Sequence, residues 1–232
     1  MIRRSHSPPQ RCESLFAHVV PMIVFILLLG GINLFQRPTG SLWVTAPEFW
    51  TYPLQTLLCA GLLFFFRGEY EFHSLRQPWH LLAIGLLVFL LWIAPQQILH
   101  FPPRRGGFNP ELLSFSPLLY WGTLLFRFLR LVVVVPLVEE IFWRGFLLRF
   151  LISEKFESVP FGSFSWLSFA VVTIAFAFSH ASADWPAALV TGALYNLVAY
   201  RTRSLLSCIV THALTNLTLG LWIVATRQWG FW

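Results

Sequence analysis

Apolar residues in this chain come in long blocks, each bounded by short polar or proline- and glycine-bearing breaks. The blocks run about Ala17 to Phe35, Phe49 to Phe66, Trp79 to Leu99, Pro117 to Ile152, Ser165 to His180, Trp185 to Tyr200 and Leu205 to Thr226. A helix needs ~20 apolar residues to cross a hydrocarbon core of ~30 Å. The pattern therefore predicts an all-α, polytopic transmembrane helical bundle of about seven spans, with six to eight compatible with the block ends. Pro102, Pro103, Gly106 and Gly107 mark Phe101 to Ser116 as a loop. The fourth block is long for one span and holds Arg127, Arg130 and Pro136. The expectation is one long helix kinked at Pro136, with a short interfacial helix feeding a span as the alternative. Trp79, Trp166, Trp185, Trp229 and Trp232 fall near span ends, where aromatic belts belong.

Composition supports a membrane protein and narrows its partners. Of the 232 residues 56% are hydrophobic and 11% charged, where a soluble domain carries about 25% charged residues. The net charge of +6 follows from basic cytoplasmic loops and needs no nucleic-acid partner. Placing the N-terminus in the cytoplasm puts Arg3, Arg4, Arg11, Arg67, Arg76, Arg149, Lys155, Arg201 and Arg203 on that side. Only Arg37, Arg104, Arg105 and Arg227 fall on the other, so the orientation expected is N-in. The polar start followed by an apolar run resembles a signal peptide, but Gly30-Gly31-Ile32-Asn33 offers no cleavage site. Residues 1–16 are read as a cytoplasmic tail and 17–232 as a single transmembrane domain whose motif-bearing core spans 117–226. Cys12, Cys59 and Cys208 form no CxxC pair or disulfide framework and read as packing residues.

The chemistry concentrates where charge is most costly. Glu139, Glu140 and Arg144 sit in the apolar run from Leu131 to Ile152, and an ionisable group at membrane depth costs roughly 2.5–3.5 kcal/mol. At 1.5 Å rise per residue, Glu139 and His180 both lie roughly 20 Å from the cytoplasmic face, and His212 and Asn216 roughly 10–17 Å. Polar groups at a shared depth find one another, since lipid offers no partner. Glu140 and Arg144 are i,i+4 with the acid first, the favourable order for an ion pair. Glu139 points 100° away, free to face a cavity as a general base, with Trp143 expected to roof its face. His212 and Asn216 share a face and can both donate to an oxyanion. Phe176 lies beside His180 on the fifth span, and Asn196 is expected to make an interhelical hydrogen bond. Two readings from other classes use the same residues: a non-catalytic scaffold or immunity-type protein, and a proton-coupled transporter. Against the transporter stands the lack of internal repeats or paired broken helices.

The three spaced pairs, Glu139-Glu140-x-x-x-Arg144, Phe176-x-x-x-His180 and His212-x-x-x-Asn216, resemble the motifs of the CAAX-prenyl-protease and bacteriocin-processing (CPBP, or Abi) family of intramembrane proteases. The run Tyr200 to Leu205 and the ending Gln228 to Trp232 look like a bacterial branch of that family found alongside exosortase systems. The resemblance implies a glutamate-dependent endopeptidase in the bacterial inner membrane. Glu139 with His180 would activate water, His212 with Asn216 would form the oxyanion hole, and Glu140 with Arg144 would hold the catalytic helix. The implied partners are the bilayer and a membrane-associated or exported protein substrate. No cofactor is expected. A divalent metal such as zinc stays open, because the family was long described as metalloproteases, although HExxH is missing and two histidines on separate helices are a thin ligand set.

Overall fold

The computed structural model describes residues 11–104 and 106–232; the expectations for Arg3, Arg4, Arg105 and the first part of the tail lie outside them. Seven long helices follow the predicted blocks: α1 Arg11–Phe35, α2 Glu48–Phe65, α3 Pro78–Gln97, α4 Pro117–Phe150, α5 Trp166–Phe178, α6 Trp185–Thr202 and α7 Leu205–Thr226. The first begins at Arg11, ahead of the predicted Ala17. Helix starts follow local capping rules. Ser116, Ser165 and Ser204 cap α4, α5 and α7, each accepting from a backbone N–H three residues on. Pro78 and Pro117 occupy first-turn positions, where a missing N–H costs nothing.

Burial is inverted relative to a soluble domain. Every long helix turns large apolar side chains outward, among them Leu27, Leu57, Leu90, Leu125, Ile174, Leu197 and Leu221. The buried set includes Gln55, Arg127, Arg130, Glu139, Glu140, Arg144, Asn196 and His212. A lipid-facing surface around a polar interior accounts for both. By length and apolarity α1, α3, α4 and α7 are each sufficient to cross a membrane. α5, with 13 residues, rises about 20 Å and falls short of a full core.

α4 stands at the centre, against α1 and α2 on one side and α5 and α7 on the other. α3 and α6 pack behind α7. Close approach depends on small residues. A Cβ on Gly85 would meet Thr211 O and Leu214 Cβ at 3.2 Å, and one on Gly192 would meet Phe176 and the Thr173 carbonyl at 3.2 Å.

The two ends of the bundle are finished differently. At the end where α1 begins, Tyr70 donates to the Ala17 carbonyl and Phe156 packs on His18. At the far end the loop after α3 and the C-terminal tail are knitted together. Phe108 N–H donates to Trp232 O, Gln97 donates to Gln228, Arg104 pairs with Asp184 and Arg227 with Glu111. Trp79, Trp166 and Trp185 are exposed at helix ends as a belt would be. Trp229 and Trp232 depart from that expectation, because the tail folds back, packs them on each other and sets Trp232 on Phe108 and Phe128.

Candidate active site

The site is built on irregular winding within α4. The helix is unbroken from Pro117 to Phe150, so the short-helix alternative does not apply, and it is wound as π-helix over Leu129–Val134 and Ile141–Leu147. Val135–Glu140, carrying both glutamates, is the α-helical piece between them. Pro136 explains part of this. Val135 N–H reaches back to Arg130 O, and Pro136 has no N–H to offer, so the Leu131 carbonyl loses its helical partner. Asn216 on α7 supplies the replacement, its Nδ2 donating to Leu131 O at 2.8 Å. π turns of this kind recur at functional sites.

Behind the site lies a polar network that leaves one atom open, Glu140 Oε2, which has no hydrogen-bond partner among the described residues. Glu140, with 0% exposure, accepts from Arg144 Nη1 at 3.1 Å and from His212 Nδ1 at 2.9 Å on one oxygen. Arg144 also donates from Nε to Asn196 Oδ1 and from Nη2 to the Gly192 carbonyl, both on α6. Asn196 in turn donates to Thr173 on α5. One guanidinium thus ties α4 to α6 directly and to α5 through Asn196, with Phe176 and Tyr195 rings against its faces.

Glu139 faces the other way. It lines a cavity of about 210 Å³ whose wall also holds Phe176, His180, His212 and Asn216. Its Oε2 is enclosed and has no hydrogen-bond partner among the described residues. Glu140 and Arg144 are not part of this wall. Trp143 is absent from it as well, against the expectation that it would roof Glu139, and packs on Phe142 and Phe176 instead. The i,i+4 relation used to place it assumes α-winding, and the π turn that begins at Ile141 rotates Trp143 away from that position.

His180 is set by the way α5 ends. Its own N–H turns back to Ala177 O, which leaves the Phe176 carbonyl free. That carbonyl accepts from Ser179 Oγ at 2.7 Å and from His180 Nδ1 at 2.8 Å. A carbonyl only accepts, so Nδ1 carries a hydrogen, and in the neutral ring Nε2 is the nitrogen with the lone pair. The Phe176 ring, centred 4.7 Å away, and Trp92 at 5.5 Å flank the imidazole. His212 is held the same way: Nδ1 is committed to Glu140, leaving Nε2 as its other polar atom. Among the described residues no three His, Cys, Asp or Glu side chains gather closely enough to hold a metal ion.

A family model described as type II CAAX prenyl endopeptidase Rce1-like matches residues 120–218. Residues 120–218 are an Rce1-like domain. No curated protein and no solved structure matches the chain. The Rce1-like domain contains all seven residues of the spaced pairs, from Glu139 to Asn216. That family is one of proteases, and four helices of the chain are long and apolar enough to cross a membrane.

Spacing in the sequence pointed to Glu139, Phe176, His180, His212 and Asn216 in the cavity wall but not to the rest of it. Arg127, Arg130, Trp92, Thr191 and Tyr195 also line the cavity. Arg127 and Arg130 carried a signal, as charges inside an apolar block. Tyr195 and Thr191 carried none, since hydroxyls in membrane helices commonly bond within the bundle, as Tyr195 does to Thr215.

Proposed function

We propose that the protein is an intramembrane endopeptidase that hydrolyses peptide bonds of membrane-associated or exported proteins, with Glu139 as its general base. The observation that carries this reading is the unpartnered Glu139 carboxylate facing one cavity with two histidines and an asparagine. Glu139 takes a proton from a water molecule that His180 Nε2 helps to orient. The oxygen attacks the peptide carbonyl, and the proton passes to the leaving amine. His212 and Asn216 serve the oxyanion. Asn216 has a second amide hydrogen beyond the one given to Leu131. His212 contributes through Nε2, the ring nitrogen that Glu140 leaves uncommitted. Glu140 and Arg144 hold the glutamate-bearing segment in register with α6 and α7. No step in this scheme passes through a metal.

The reading places the protein in a bacterial inner membrane with the N-terminus in the cytoplasm, in the branch found alongside exosortase systems. Its test is terminal-peptide mass spectrometry of membrane fractions from cells carrying wild type, Glu139→Gln or His180→Ala. Loss of a defined set of new termini in both variants, at unchanged protein level, is the expected result. Identical termini in all three strains would refute it. If the variants vanish from the membrane instead, the residues serve packing and the scaffold reading takes over.

A further inference from the structure

At the end of the bundle where α1 begins, a second cavity of about 390 Å³ opens between α3 and α6. It shares no lining residue with the cavity that holds Glu139. Its lining changes character along the two helices. Gln77, His80 and Arg201 stand at the helix ends, and Leu81, Ile84 and Leu197 lie deeper. At 1.5 Å per residue, Ile84 is roughly 9 Å in from Pro78 and Leu197 roughly 8 Å in from Thr202. The headgroup layer on each side of the hydrocarbon core is ~5–8 Å thick. The rim therefore sits at headgroup level and the floor in hydrocarbon. Leu197 is exposed, so the slot opens sideways on the lipid-facing surface.

The rim is basic and lacks a counter-charge. No Asp or Glu contributes to the lining, and neither Arg76 nor Arg201 forms an ion pair among the described residues. Arg76 is fixed at this opening by two bonds across the bundle. Its Nη1 donates to the carbonyl of Thr202, itself a lining residue, at 3.3 Å, and its backbone N–H donates to Ser207 Oγ at 3.1 Å. The segment before α3 is thus clasped to the turn between α6 and α7, which sets Arg76 beside the opening that Arg201 lines. We propose that this slot binds one anionic phospholipid, with its phosphate on Arg76 and Arg201 and an acyl chain between α3 and α6. Guanidiniums pair with phosphate oxygens as forks of donors, and basic pockets between membrane helices are recurrent seats for anionic headgroups. A soluble anion gains nothing from the apolar floor, and a zwitterionic lipid brings its own cation to a basic rim. The site is independent of the peptidase reading, because the two cavities have separate walls.

The test is lipid binding to the full-length protein, purified in detergent and stripped of native lipid. Native mass spectrometry counts bound short-chain phosphatidylglycerol and phosphatidylcholine, and titration gives their affinities. One phosphatidylglycerol per chain is expected, held ~10-fold or more tightly than phosphatidylcholine, since each arginine near an anionic headgroup accounts for about fivefold. Arg201→Gln, at an exposed position, is expected to remove most of that preference. Lys155→Gln removes an exposed charge at the same end but off the cavity, and should leave the preference intact. Leu197→Trp, which fills the slot, should weaken both lipids. Equal binding of the two lipids, or a loss in Lys155→Gln as large as in Arg201→Gln, would reduce the effect to general surface charge and overturn the site. Two other results would also overturn it. Displacement of the lipid by an equal concentration of glycerol phosphate would make this a soluble-anion site. A lipid-independent dimer that Leu197→Trp disperses would assign the slot to a second copy of the chain.

Discussion

Glu139 and Glu140 share a peptide bond, yet one oxygen of Glu140 accepts two charge-assisted hydrogen bonds and Glu139 accepts none from the described protein. Their substitutions should therefore separate stability from activity. Removing one member of a buried, hydrogen-bonded pair strands the other and costs about 3–5 kcal/mol. Glu140→Gln and Arg144→Met are expected to lower the melting temperature in detergent markedly. Glu139→Gln leaves no group without a partner and should melt near wild type while cleavage falls by ~10²-fold or more. Arg144→Lys should not rescue, since an ammonium cannot reach Glu140, Asn196 and Gly192 with one planar fork. A Glu140→Gln protein that melts like wild type would sink the account. The Arg144 bond to Glu140 was legible in the sequence as an i,i+4 pair with the acid first, and the long arginine side chain makes it across the π turn. The bond from His212 to Glu140 was not: it joins residues 72 apart, and spacing alone assigned His212 only to an oxyanion.

At the scale of the element, α4 shows where helical arithmetic holds and where it fails. Its extent and the proline irregularity were readable from the apolar block. The form of that irregularity was not, because an α-helix kinked at proline and a π turn relieve the same lost hydrogen bond. The difference decided Trp143, which α-spacing put over Glu139 and the structure puts against Phe176. It also gives Pro136 a specific task. Pro136→Ala restores an N–H, which can take Val132 O in α-winding or Leu131 O in π-winding. The first relaxes the π turn and rotates the glutamates, and the second competes with Asn216 for its carbonyl partner. The helix gains a hydrogen bond in either case. The expected outcome is an unchanged or higher melting temperature with turnover lowered by ~10–100-fold, since small displacements of catalytic groups are costly. Calorimetry in detergent and peptide turnover on the same preparation check it, and wild-type turnover would remove Pro136 from the explanation.

For the whole molecule, the distribution of basic residues between the two ends is what supports the proposed N-in orientation. Arg67, Arg76, Lys155, Arg201 and Arg203 cluster where α1 begins, in loops that touch it or touch the start of α7. Among the described residues the far end has Arg37, Arg104 and Arg227, beside the tail whose Phe231 and Trp232 line the cavity. Orientation follows the count of Arg and Lys in short loops, with acidic residues contributing little, so the ion pairs of Arg104 and Arg227 do not alter the balance. On the proposed N-in orientation, the end of the cavity lined by Phe231 and Trp232 is extracytoplasmic. Helix alternation makes this checkable at the C-terminus. Alkaline phosphatase fused after Trp232 should be active and green fluorescent protein at the same position dark. Reporters inserted in the loop at Lys155 should give the opposite pair. A fluorescent C-terminal fusion would invert the bundle and overturn the N-in orientation.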